Sequence, residues 1–163
     1  MIVNGWTLYF HPLFLDQVAR LIAGVERDKQ KSPRDYSKKP NAKLLNAIET
    51  IATDRIPQDP TDKRYRLGGT LGENRKHWFR EKFGNGRFRL FYRYDLRAKI
   101  IVYVWVNDET TLRTYGAKSD AYAVFTSMLN DGNPPDGWDR LLAACKDSEV
   151  LKRAEDMLKK GPP

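Results

Sequence analysis

From Pro12 to about Lys29, the apolar residues Leu13, Phe14, Val18, Leu21, Ile22 and Val25 recur at spacings of three and four. That spacing predicts an amphipathic helix with Asp16, Arg20 and Glu26 on its outer face. A polar link from Lys31 to Pro40 follows, and Leu44, Leu45, Ile48, Ile51 and Ala52 then repeat the helical pattern until Pro57 and Pro60 stop it. Tyr9-Phe10 suggest a short strand ahead of the first helix. Beyond the Gly-rich stretch Gly68-Gly69-Thr70-Leu71-Gly72, the period changes from helical to alternating. Strands are predicted for Trp78 to Phe83, Arg87 to Tyr94 and Lys99 to Val106, with a further short one around Tyr65 to Leu67. Asp120 is a good N-cap for a helix through Leu129, ended by Asn133-Pro134-Pro135. A last amphipathic segment, Trp138 to Leu158, is predicted to be helical with a break near Asp147. The fold class is therefore α+β, with helices packed on an antiparallel sheet.

Phe83-Gly84-Asn85-Gly86-Arg87 places Asn-Gly between two strands, a strong hairpin signal because both residues tolerate the positive φ of a tight turn. With Asn85 and Gly86 as the loop, Phe83 pairs with Phe88, Lys82 with Arg89, Glu81 with Leu90, Arg80 with Phe91, Phe79 with Tyr92 and Trp78 with Arg93. Opposed residues share a face. One face then carries Phe79, Phe83, Phe88, Leu90 and Tyr92 toward the helices, with Glu81 an unexplained intruder. The other carries Trp78, Arg80, Lys82, Arg87, Arg89, Phe91 and Arg93. Lys99 to Val106 is apolar on both faces and reads as central and buried.

Length and composition narrow the class. A chain of 163 residues, 40% hydrophobic and 31% charged, suits one domain with one core. The formal net charge of +8 and pI near 9.6 favour a polyanionic partner, nucleic acid before membrane. No apolar run approaches the length of a spanning helix, and the start has no signal-peptide layout, so a cytoplasmic protein is expected. Cys145 is the only cysteine and His11 and His77 the only histidines, so a Cys/His zinc site cannot be completed. The carboxylates are scattered, and neither a metal site nor a cofactor is expected.

These limits turn attention to the second strand face. Lys82 opposite Arg89 is a like-charge pair, disfavoured by about 0.2–1 kcal/mol unless an anion bridges it. Trp78 and Phe91 among cations offer stacking surfaces for single-stranded RNA, with Arg87 and Arg93 as phosphate contacts. Basic residues on an exposed strand also serve solubility and edge protection. The loop after the central strand, Asn107 to Gly116, offers Arg113 and Tyr115, although an Arg113–Asp108 surface pair and a packed tyrosine account for them equally. His11 and His77 suit general-base chemistry by residue type, but single histidines beside aromatics more often serve structure.

Several of these segments match one family. Asn4-Gly5-Trp6 with His11-Pro12, the hairpin from Lys82 to Tyr94, and Trp105 to Gly116 followed by Asp120-Ala121-Tyr122 resemble the YhaV toxins of bacterial type II toxin–antitoxin systems. The resemblance covers nearly the whole chain. It implies a single RelE-like domain over residues 1–163, with a C-terminal helical extension at about 136–160. It also implies an mRNA-cleaving endoribonuclease that inhibits translation and growth, on or off the ribosome. A PrlF-type antitoxin of the AbrB-like class would neutralise it, and operator DNA would be bound only through the toxin–antitoxin complex. In RelE-like toxins the catalytic groups are basic positions on adjacent strands plus an arginine and a tyrosine near the sheet's end. Arg80 and Lys82 match the first pair and Arg89 the arginine of the next strand. Arg113 and Tyr115 correspond to the last two, closer together than the RelE pattern places them.

The expected chemistry is attack of the RNA 2′-hydroxyl on its neighbouring phosphate, giving a 2′,3′-cyclic phosphate and a 5′-hydroxyl. Arg80 and Arg89 would stabilise the phosphorane charge. Lys82, crowded by Arg80, Arg87 and Arg89, is a candidate base because like charges disfavour its protonated form. Tyr115 is the alternative base, or the acid for the leaving oxygen. A non-catalytic RNA- or ribosome-binding module using the same face is the competing reading. A DNA-binding regulator lacks support, because no helix-turn-helix with a basic recognition helix is evident.

Overall fold

The computed structural model describes residues 1–161 and 163. Strands β1 (Ile2–Val3) and β2 (Trp6–Phe10) form an N-terminal hairpin whose turn uses Asn4 and Gly5 at positive φ. Helix α1 (Pro12–Lys31) follows, started by Pro12 in its first turn and capped by His11, whose Nδ1 accepts the Leu13 N–H at 3.2 Å. Next come α2 (Pro40–Thr50), a π turn (Ile51–Arg55) and α3 (Ile56–Gln58). The helical run ends at Gln58, between Pro57 and Pro60 as the sequence suggested, with Pro57 taken into its last turn. The widened turn, closed by the Ile56 N–H on the Ile51 carbonyl, lets the chain stay helical through Pro57. The main sheet strands are β3 (Phe79–Phe83), β4 (Phe88–Asp95) and β5 (Ile100–Val106). Helices α4 (Ala121–Asn130), α5 (Trp138–Lys146) and α6 (Ser148–Lys160) complete the chain. Asp120 caps α4 as expected, and Asp147 makes the expected break by capping α6.

The sheet order is β1-β2-β5-β4-β3, so β5 is central as its apolar sequence predicted. The hairpin register agrees pair for pair from Phe79↔Tyr92 to Phe83↔Phe88. Two expectations need correction. The sheet is mixed, because β2 runs parallel to β5, from Thr7↔Ile100 to Phe10↔Tyr103. The Tyr65–Leu67 strand reduces to one bridge, Arg66↔Phe79, while Tyr65 is buried in the core.

Helices cover both faces. On one side, Leu8, Phe10, Phe83, Phe88, Leu90, Tyr92 and Tyr103 pack with Phe14, Leu15, Ile48 and Ile56 of the N-terminal helices. Glu81 on this side is explained: it is buried and paired with Arg55 at 2.9 Å. On the other side, Trp78, Phe91, Val102, Val104 and Trp105 pack with Phe125 and Leu129 of α4 and Leu141 of α5. This second core overturns the prediction that Trp78 and Phe91 are open stacking surfaces, since both are 0% exposed. Trp78 precedes the strand, and its indole donates to Asp136 at 2.7 Å. Phe91 stacks on Phe125 with ring centroids 4.3 Å apart. Aromatic residues on a strand look the same in sequence whether they meet a base or a helix, and here α4 supplies the partner.

Candidate functional site

The basic residues gather where the β3–β4 hairpin meets the start of α4. Arg80 and Arg89 face the same side, two register steps apart on adjacent strands. Both are largely withdrawn from solvent, at 9% and 5% exposure, where open cations were expected. Their withdrawal is possible because Tyr122, in the first turn of α4, puts its hydroxyl between them. Arg80 Nε donates to that oxygen at 3.0 Å and Arg89 Nε at 3.1 Å. Further donors are satisfied by backbone: Arg80 Nη1 on the Arg64 carbonyl at 3.0 Å, and Arg89 Nη1 on the Gly86 carbonyl.

Burial pushes the Tyr122 phenol up, but hydrogen bonds from Arg89 and Arg80, and their charges, outweigh it and bring the hydroxyl below the usual tyrosine value. A phenol so held is an unusually acidic proton donor and, once ionised, a base. The sequence singled out Tyr122 only as part of a motif. Its place two residues after the Asp120 cap and among the apolar positions Phe125 and Leu129 made it look like ordinary core.

The loop after β5 closes the cluster. Arg113 is paired with Asp120 at 2.5 Å, not with Asp108. Asp108 instead accepts from Thr110 and Thr111. Burial raises the Asp120 carboxyl, yet Arg113 and the Thr114 and Tyr122 N–H groups together hold it below the ordinary carboxylate range. The Arg113 guanidinium lies 3.7 Å from the Tyr115 ring centroid and 4.8 Å from that of Tyr122. Tyr115 itself is 86% exposed, so it is not a packed core tyrosine. Asn107, directly after β5, fixes the strands beneath: its oxygen accepts the Arg89 N–H at 2.6 Å, and its amide donates to the Arg87 and Thr111 carbonyls, each at 2.9 Å.

Lys82 pairs with Arg89 in the register as predicted, and its side chain is exposed. Arg87 is exposed at the turn, its Nε donating to the Gly84 carbonyl at 3.2 Å. Arg93, expected at an RNA-facing position, lies elsewhere. It is held between Trp78 and Trp138, at 5.4 and 5.3 Å, and donates to the Asp136 carbonyl, so it serves the second core. The turn Lys63–Tyr65, whose Arg64 carbonyl holds Arg80, brings exposed Lys63, Arg64 and Arg66 beside the cluster. Sequence reading did not connect these to the hairpin, although Arg66 lies in the short strand expected around Tyr65 to Leu67.

Neither histidine joins the site. His11 is a buried helix cap, and burial lowers its pKa to about 4. His77 pairs with Asp136 at 2.9 Å, beside Trp78. Burial pushes the Cys145 thiol up to about 12, which removes it as a nucleophile. Among the described residues, no three His, Cys, Asp or Glu side chains gather into a metal-ligating group.

The chain is similar to proteins of one family. A family model described as a toxin with endonuclease activity, of toxin-antitoxin system, matches residues 8–146, from β2 to the end of α5. Toxin YhaV of Escherichia coli O6:H1 is 45% identical over 147 residues, covering 90% of this chain and 96% of that protein. Ribonuclease toxin YhaV of Escherichia coli K12 is 46% identical over 140 residues, 85% of this chain and 91% of that protein. No solved structure matches the chain. With a family match across most of its length and relatives of nearly half identity, the chain belongs to the YhaV family of endonuclease toxins of toxin–antitoxin systems.

Proposed function

We propose that the chain is a cytosolic, metal-independent endoribonuclease toxin with one RelE-like domain, which cuts mRNA at the Arg80–Arg89–Tyr122 cluster. The observation that carries this reading is the convergence of two guanidinium groups on one phenol, with Lys82, Arg113 and Tyr115 around it. Two fixed cations at one point suit a phosphate whose charge grows during reaction, and their positions cost no reorganisation at that moment. RNA supplies its own nucleophile. The 2′-oxygen forms a bond to phosphorus as the bond from phosphorus to the 5′-oxygen breaks, leaving a 2′,3′-cyclic phosphate and a 5′-hydroxyl.

One proton leaves the 2′-hydroxyl and one reaches the 5′-oxygen. Lys82 and Tyr115 are the exposed proton-carrying groups of the cluster, and we assign Lys82 to the first transfer and Tyr115 to the second. Tyr122 positions Arg80 and Arg89 for the phosphorane, and Arg113 positions Tyr115. The growth-inhibiting toxin is countered by an antitoxin of the PrlF type, and operator DNA is reached only through that complex.

The test is incubation of purified protein with a defined single-stranded RNA in EDTA, beside Arg89→Ala. Cyclic-phosphate ends that vanish in the variant are expected. Cleavage of the matched DNA, which has no 2′-hydroxyl, would sink the mechanism. RNA left intact but still bound by the wild type would favour the non-catalytic module, unless added ribosomes restore cutting.

A further inference from the structure

The charge of the chain is unevenly placed. Residues 20 to 43 hold eight cations, Arg20, Arg27, Lys29, Lys31, Arg34, Lys38, Lys39 and Lys43, against three acids, Glu26, Asp28 and Asp35. The rest of the chain holds 21 cations and 18 acids. All eight of these cations are exposed. Among the described residues only Lys38 has a carboxylate partner, Asp35 at 3.4 Å. Asp28 is already engaged by the Asn41 amide at 3.1 Å. Lys29 and Lys31 in the last turn of α1 answer the negative end of the helix dipole, which accounts for two. Arg20, Arg27, Arg34, Lys39 and Lys43 have no such explanation. Mutual repulsion among them is a standing cost that a polyanion would relieve.

The fold carries this cluster toward the candidate site. The His11 N–H donates to the Tyr103 carbonyl at 2.9 Å, and the Gln17 amide brackets Val106, accepting from its N–H at 3.1 Å and donating to its carbonyl. Helix α1 therefore advances with β5 and reaches its end by Gln17. It runs on to Lys31, a rise of about 21 Å at 1.5 Å per residue. That is the end of the sheet where Asn107 holds the β3–β4 hairpin and where Lys82 and Arg87 stand exposed. Two basic groups thus lie toward one end of the molecule, on opposite faces of the sheet.

We propose that the α1–α2 junction is a second RNA-binding surface, which holds the substrate strand beyond the cut. This rests on RNA being the substrate. A membrane fits the junction less well, because residues 20 to 43 contain none of the exposed large apolar side chains that would insert, which are Met1, Ile2, Leu96, Tyr115, Leu151 and Leu158. The contacts are to phosphates, so the surface gives length-dependent affinity without base preference.

The test is the quadruple variant Arg27→Gln, Arg34→Gln, Lys39→Gln, Lys43→Gln, with binding measured to uncleavable 2′-O-methyl RNA of about 6 and about 24 nucleotides. For the longer strand, affinity is expected to fall about tenfold or more, and the slope of log affinity against log salt to shrink by about 3. The shorter strand should bind as before. Unchanged binding of the longer strand would overturn the proposal. So would equal loss for both lengths, or a loss confined to anionic vesicles or to an acidic protein. If the thermal midpoint shifts, the pair Arg20→Gln, Arg34→Gln replaces the quadruple variant, with half the change in slope expected. Cleavage of ordinary RNA of both lengths by wild-type protein separates the two readings. No cleavage and no binding at either length counts against the ribonuclease reading, whereas cleavage with an unaltered long-to-short ratio in the variant counts against the second surface alone.

Discussion

The Arg89 Nε donates to the Tyr122 hydroxyl at 3.1 Å, joining the second strand of the hairpin to a helix that begins 32 residues later. Tyr122→Phe keeps the ring and its packing but leaves Arg89 Nε and Arg80 Nε without their acceptor. The cost to stability is expected to be about 1–3 kcal/mol. Turnover should fall on the order of 10²-fold through misplacement of the two cations, with a smaller change in KM. The folded phenol ionises more readily than an unfolded one, so Tyr122 adds stability that grows as pH rises through the alkaline range and is lost as pH falls back below it. That alkaline gain, measured by denaturant unfolding, should be missing in the variant.

The buried Glu81 offers a cleaner stability test, because it lies on the face away from the arginine cluster. Its partner Arg55 is about half exposed, so the pair is partly screened. Arg55→Ala strands the carboxylate and should cost about 1–2 kcal/mol in urea unfolding. The double variant Arg55→Ala, Glu81→Gln should recover much of that loss. RNA cleavage should be unaffected in both.

His11 gives a pH dependence on the acid side. Burial lowers its pKa from 6.5 to about 4, so the unfolded chain takes up the proton first as pH falls. Its contribution is complete above pH 6.5 and is lost progressively as pH drops toward 4, amounting to about 3 kcal/mol. His11→Asn still offers an oxygen to the Leu13 N–H but does not titrate. The stability gap between variant and wild type should narrow or reverse over that window; a constant gap would exclude His11 as its source.

Asn107 is the residue whose loss should propagate furthest. It is buried and joins Arg87, Arg89 and Thr111 through three hydrogen bonds. Asn107→Ala leaves an N–H and two carbonyls without that partner, and is expected to cost about 2–4 kcal/mol. Amide exchange should speed up first at Arg89 and in the loop from Asp108 to Thr111.

The hairpin was the most legible part of the sequence. Asn85-Gly86 sets a local turn, and alternation then fixes every opposed pair. Helix ends marked by Asp120 and Asp147 were legible for the same reason: a cap acts over three residues. What stayed hidden depends on distant chain. Nothing in Trp6–Phe10 announces a parallel neighbour at Ile100–Tyr103. The strand face bearing Phe91 and Arg89 reads as solvent-facing until α4 is laid across it. For the site, Arg80, Lys82 and Arg89 were found on adjacent strands, but the burial of the two arginines follows from Tyr122, which sequence spacing could not bring to them. Arg93 shares their face and their charge, yet two tryptophans claim it.

The long-range pairing also orders events during synthesis. Strand β2 is made first and waits for β5, some ninety residues later, before its parallel edge is satisfied. Even then the arginines lack their phenol until residue 122 has left the ribosome. A nascent chain of this toxin therefore carries Arg80 and Arg89 well before it carries the hydroxyl that draws them out of solvent.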